Sequence, residues 1–170
     1  AKSRQCFLDC INLDKFNFEA YVNLSNIYIL EKNFNEAIVL LKNYTNIYKY
    51  KKEILSHICK IYTNYFSTDL AVNYLKDLEK SDKKNYNNRY YLFFLIGLNL
   101  SNIDKNDDAI TYFEKSLDLN NKNEETYINL FDLLERLNKI EKFEKIVLNF
   151  NRNIKTNNPK INYYESLLLN

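Results

Sequence analysis

Methionine and tryptophan are absent from this sequence, and glycine, proline and histidine occur only once each. Each scarcity excludes something. Tight turns between strands rely on residues with special backbone angles, chiefly Gly and Pro, so a chain nearly without them is not a stack of hairpins. Helices joined by short polar loops need far fewer such residues, and the fold class read from composition is all-α. A single Gly also rules out a glycine-rich loop cradling phosphate. No apolar run approaches the ~20 residues needed to cross a bilayer, and no signal peptide is visible, so no membrane association is expected. Three cysteines, Cys6, Cys10 and Cys59, make an odd number in a chain without a secretory leader. That points to reduced thiols and a cytoplasmic setting.

No strong charge of either sign is present: 24 Lys and Arg stand against 22 Asp and Glu, a formal balance of +2. Basic and acidic residues alternate throughout, whereas a nucleic-acid binder concentrates positive charge on one face. Nucleic acid is therefore not an expected partner. What is abundant is apolar residues, 46% of the 170, enough for a substantial core. Asn, Lys, Ile and Tyr are in excess, the set favoured by AT-rich codons. The glycosylation-like triplets at 23–25, 43–45 and 99–101 are chance matches in so Asn-rich a chain, and all fall within predicted helices.

A pattern recurs. "NEAIVLLKNYTNIYKYK" (35–51), "TDLAVNYLKDLEKSDKK" (68–84) and "DDAITYFEKSLDLNNKN" (107–123) share an acidic residue, a small Ala, apolar residues at helical spacing and a polar tail. Ala37, Ala71, Ala109 and the equivalent Phe143 are separated by 34, 38 and 34 residues. Upstream of each lies another helical pattern with apolar residues at i, i+3 and i+7: Tyr21, Leu24, Tyr28; Leu55, Ile58, Tyr62; Phe93, Ile96, Leu100; Tyr127, Leu130, Leu134. Two amphipathic helices per period of this length signal a helical solenoid.

These residues resemble the tetratricopeptide repeat family. The first repeat matches its pattern at Tyr21, Leu24, Ser25, Tyr28, Phe34 and Ala37; the second at Leu55, Ile58, Cys59, Tyr62 and Ala71; the third at Phe93, Ile96, Gly97, Leu100, Ala109, Phe113 and Ser116. The resemblance implies a right-handed α-solenoid of antiparallel helix pairs. Repeats would span 18–51, 52–85, 90–123 and 124–157, with a half repeat at 1–17 and a terminal helix at 158–170. Ser25, Cys59 and Gly97 fall where paired helices cross, opposite the three alanines, and must be small. The pattern's Pro at position 32 is missing, with Lys49, Lys83, Asn121 and Lys155 in its place, and Tyr86–Arg89 reads as an insertion. The fourth repeat places Phe131 and Phe143 at both small positions, so its helices are expected to spread or cross differently. With no initiating Met and no capping ends, the chain is expected to be a fragment whose exposed ends promote self-association.

Chemistry is hard to place. His57 has no accessible thiol beside it, because Cys59 falls at the packed crossing. Cys6 and Cys10 share a helical face but lack a further pair of ligands, and read as core thiols. Asp107 and Asp108 open a helix, where carboxylates complement the dipole. No catalytic residue, metal or cofactor is expected.

The resemblance implies a groove lined by the first helices. Its candidate residues are Asn23 and Asn26 in repeat one, His57 and Lys60 in repeat two, Tyr91, Phe94, Leu95 and Leu98 in repeat three, and Asn129 and Asp132 in repeat four. "YYLFFLIGL" (90–98) is apolar all round, so Tyr91, Phe94, Leu95 and Leu98 form an exposed patch for a ligand, unless a neighbouring segment such as 81–89 covers it. The expected function is a non-catalytic module binding a peptide or protein segment. The alternative is the repeat region of a larger enzyme, such as a sulfo- or glycosyltransferase.

Overall fold

The computed structural model describes residues 2–47, 51–81, 89–154 and 158–167, and among these every regular element is helical. In chain order they are α1 (Lys2–Leu13), α2 (Phe18–Leu30), α3 (Phe34–Ile47), α4 (Lys52–Tyr65), α5 (Thr68–Ser81), α6 (Arg89–Asn102), α7 (Asn106–Leu119), α8 (Glu124–Arg136), α9 (Ile140–Asn153) and α10 (Pro159–Leu167). The all-α expectation holds. Lys49, Lys83 and Lys155 and most of the proposed insertion lie outside the described residues, while Asn121 stands in the turn after α7. The chain divides into two compact units, Ala1–Asn88 and Arg89–Asn170.

In the first unit the apolar faces read from the sequence meet as anticipated. Tyr21 of α2, Ala37, Ile38, Leu41 and Tyr44 of α3, and Ile54, Ile58 and Ile61 of α4 form one buried cluster. Burying side chains of this size contributes roughly 1.5–3 kcal/mol each, so the pairing of helices rests mainly on this seam. The Tyr21 and Tyr44 rings meet edge-on at 4.9 Å. Polar links tie successive pairs together: Thr45 Oγ1 and Tyr74 Oη share a hydrogen bond of 3.2 Å. The same device recurs in the second unit, where Ser116 Oγ donates to the Tyr90 carbonyl at 2.7 Å and shares a bond with Thr126 Oγ1 at 3.2 Å.

The turns between paired helices explain how so glycine-poor a chain reverses direction. Lys32, Asp104 and Asn138 adopt left-handed backbone angles, with φ of 61°, 56° and 52°. In each case the residue after it returns its N–H to a carbonyl five positions back: Asn33 to Tyr28, Lys105 to Leu100 and Lys139 to Leu134. This is the helix-ending arrangement usually given to Gly; Asn and Asp tolerate it better than Lys. The turn from α4 to α5 differs. There Phe66 keeps a negative φ, and Ser67 Oγ accepts from the Leu70 amide at 3.3 Å.

Gly97 has a clear steric role. A β-carbon placed on it would lie 2.8 Å from Phe113 Cδ1 and 3.2 Å from the Ala109 carbonyl oxygen. The crossing of α6 and α7 is thus closed too tightly for any side chain. At the equivalent crossings Ser25 and Cys59 are buried, and Ala37, Ala71 and Ala109 are wholly enclosed. The fourth crossing is filled instead by aromatic rings: Phe131 and Phe143 meet edge-on with centroids 5.5 Å apart, and Phe131 is fully buried.

Candidate interaction surfaces

In the first unit α2 and α4 are neighbours, and the side chains they turn away from α3 and α5 form a polar strip. Asn23, Asn26 and Lys60 are exposed, and among the described residues none of these side chains has a hydrogen-bond or ion-pair partner. His57 is half-buried. Its Nε2 is sealed from solvent without a hydrogen-bond partner, and burial, assisted by the Lys60 charge, holds its pKa below the ordinary imidazole value. The fold therefore favours neutral imidazole at this position.

In the second unit the expected open apolar patch is not found. Phe94 is 1% and Leu95 4% exposed, and only Tyr91 and Leu98 are half-exposed. The reason is visible in the rings. Phe94 lies between Tyr91, at 5.4 Å, and Phe113 of α7, at 6.1 Å, and the tight crossing at Gly97 draws α7 onto the helix. Phe94 and Leu95 are interior residues, which corrects the reading that placed them on a free surface.

The other two candidates of this unit, both on α8, are engaged internally. Asn129 donates its side-chain amide to the Glu125 carbonyl at 2.7 Å. Asp132 accepts from Lys160 Nζ at 2.5 Å and from the Tyr164 hydroxyl, while Tyr163 Oη donates to Glu135 at 2.8 Å. All three donors belong to α10, which covers this face of α8. Tyr164 is buried against Phe131 and Phe143, with ring centroids at 5.1 and 5.9 Å. Burial and the Asp132 carboxylate both raise its pKa. Sequence reading missed this contact, although Lys160, Tyr163 and Tyr164 at i, i+3 and i+4 complement Asp132 and Glu135 at i and i+3.

The cysteines separate sharply. Cys59 is buried, and burial pushes its thiol up to about 12. Cys6 and Cys10 are exposed, which corrects their reading as core thiols: α1 turns Phe7 and Ile11 inward instead. At neutral pH a thiol-specific reagent is expected to modify two thiols of the folded chain quickly and the third only after unfolding, because thiolate is the reacting species. Three equally fast thiols in the folded chain would contradict this placement. Among the described residues no group of three or more His, Cys, Asp or Glu could hold a metal ion, and no helix is long and apolar enough to cross a membrane.

Comparison with known proteins agrees with this architecture. A family model described as tetratricopeptide repeat matches residues 18–49 and 90–123. No curated protein sequence matches the chain. Among solved structures, a crystal structure of MamA superposes with a TM-score of 0.57 at 16% identity, covering 98% of this chain and 88% of that one. MamA of Desulfovibrio magneticus RS-1 gives 0.53 at 12% identity, covering 90% and 86%. YrrB, a TPR protein with an unusual peptide-binding site, gives 0.55 at 13% identity, covering 96% and 84%. At such identities the likeness concerns the fold. Residues 18–49 and 90–123 of this chain are thus similar in sequence to tetratricopeptide repeats, and its helix pairs have the fold of a tetratricopeptide-repeat protein.

Proposed function

We propose that the chain is a non-catalytic protein-interaction module whose first-helix face in the unit Ala1–Asn88 receives a peptide segment of another protein. One observation carries this reading: Asn23, Asn26 and Lys60 lie exposed on adjacent helices, and among the described residues none uses the hydrogen-bonding capacity of their side chains. Asn presents both a donor and an acceptor, a match for a peptide group, and Lys60 offers three N–H donors to a carbonyl or carboxylate. Val22 and Ile29, half-buried beside them, add apolar area. A segment of mixed polar and apolar character suits such a strip better than a purely apolar one, since Phe94 and Leu95 are enclosed.

The test is a displayed library of random dodecamer peptides selected against the whole chain, with the best clones synthesised and titrated. The Asn26→Ala/Lys60→Ala double variant alters only exposed side chains and should fold normally. It is expected to lose at least about tenfold in affinity, the equivalent of 1.4 kcal/mol. Affinity unchanged within about twofold would remove this face from consideration.

A further inference from the structure

We propose a second peptide-binding site, on the second-helix face of the unit Ala1–Asn88, shaped for an extended segment carrying a basic side chain. It lies outside the strip formed by Asn23, Asn26 and Lys60 and does not depend on it. A cavity of about 340 Å³ is lined by Tyr28 of α2 and by Asn35, Glu36, Val39, Leu40 and Asn43 of α3. It is an open hollow on the surface, with Asn35, Glu36, Val39 and Asn43 all exposed, a shape suited to a segment laid across it rather than an engulfed small molecule.

The sequence sets the lining by helical spacing. Asn35, Val39 and Asn43 follow one another at i, i+4 and i+8, and Glu36 and Leu40 form the adjacent row. Each row thus alternates polar and apolar groups along the cavity. Val39 is 57% exposed and so presents apolar area at the mouth of the hollow. Asn35, Glu36 and Asn43 have no partner for their side chains among the described residues. Three uncommitted polar groups therefore converge on one partly apolar hollow.

Two arguments select the ligand. The first is spacing. Eight residues of helix rise about 12 Å, which is the length of roughly four residues of extended chain. Asn35 and Asn43 can accordingly hold two peptide groups of one strand, each offering a donor and an acceptor, with an aliphatic side chain seated on Val39 and Leu40.

The second is charge. At the rim, Arg4 of α1 stacks over the Tyr28 ring at 5.2 Å and pairs with Glu31. The protein itself thus supplies one guanidinium with an aromatic face and a carboxylate here. Glu36, which lines the hollow together with the same tyrosine, has a carboxylate and, among the described residues, no cation. An arginine or lysine from a bound segment completes it.

The probe is an N-acetylated, C-amidated Ala-Leu-Arg-Leu-Ala peptide, titrated into the whole chain while nitrogen–proton correlation spectra are recorded. The same peptide with Glu in place of Arg is the control. The Arg peptide should shift the α3 amides and the side-chain NH₂ signals of Asn35 and Asn43. The Glu peptide should bind at least about tenfold more weakly, and Glu36→Gln should weaken the Arg peptide by a similar factor. Asn26→Ala/Lys60→Ala should leave it unaffected. Equal binding of the two peptides would overturn the proposal, as would absence of shifts at millimolar peptide. Loss of binding in the Asn26→Ala/Lys60→Ala variant would overturn it too, while leaving the first-helix reading intact.

Discussion

Replacing Phe131 by alanine is expected to lower stability by about 3–5 kcal/mol, a large share of what a domain of this size has in reserve. The ring is fully buried and touches four others: Tyr127 and Phe150 at 6.0 Å, Phe143 at 5.5 Å and Tyr164 at 5.1 Å. Alanine would leave a void that rings held by their own neighbours cannot fill, and would remove several aromatic contacts worth about 0.5–1.5 kcal/mol each beyond burial. α10 should loosen with it, since Tyr164 loses its seat. Urea unfolding monitored by circular dichroism measures the loss through the midpoint. Leu148→Ala, at a side chain 58% exposed, is the control and should change stability by less than about 0.5 kcal/mol. A Phe131→Ala loss no larger than the control's would mean that the aromatic cluster is not a packed core.

The second large effect is expected at Gly97. In an open helix, replacing Gly by a larger residue gains up to about 1 kcal/mol of helix propensity. At this position the sign should reverse. Any β-carbon meets the Phe113 ring at 2.8 Å, and that ring is 1% exposed and packed against Phe94, so it has nowhere to retreat. Gly97→Leu should cost about 1–3 kcal/mol or more by overpacking. Gly97→Ser is the more discriminating change, because a fully buried Ser25 occupies the corresponding crossing, its hydroxyl donating to the Val22 carbonyl at 2.8 Å. Combining Gly97→Ser with Phe113→Leu should recover part of the loss, giving a coupling energy within the usual range for contacting residues, about 0.5–3 kcal/mol. Strictly additive effects in that cycle would show that the two positions do not compete for the same space.

Much of this architecture could be read in advance, and the reason is geometric. Where a helix has one apolar face, as α4 and α8 do, spacing alone tells which side meets the partner. The small residues in phase at 25, 59 and 97 likewise report helix crossings directly. α6 defeats that logic. It is apolar on every side, so periodicity cannot distinguish a core-facing Phe94 from a surface one, and the buried side chains of the helix run almost continuously from Leu92 to Leu100. Asp132 was legible as a solvent-facing carboxylate but not as an engaged one. Its partners, Lys160 and Tyr164, stand 28 and 32 residues away in a segment with no strong phase of its own. The cavity beside α3 was hidden for another reason. In a chain so rich in Asn, two more carry no signal until the fold brings them together with Glu36.

The contact between α10 and α8 has a further consequence for any molecule that would use Asp132 or Glu135. Those carboxylates are already served by Lys160, Tyr163 and Tyr164 of the same polypeptide, held nearby at an effective concentration on the order of millimolar or higher. An outside competitor must displace this tethered incumbent. Its measured affinity falls short of the intrinsic one by the fraction of time α10 is away.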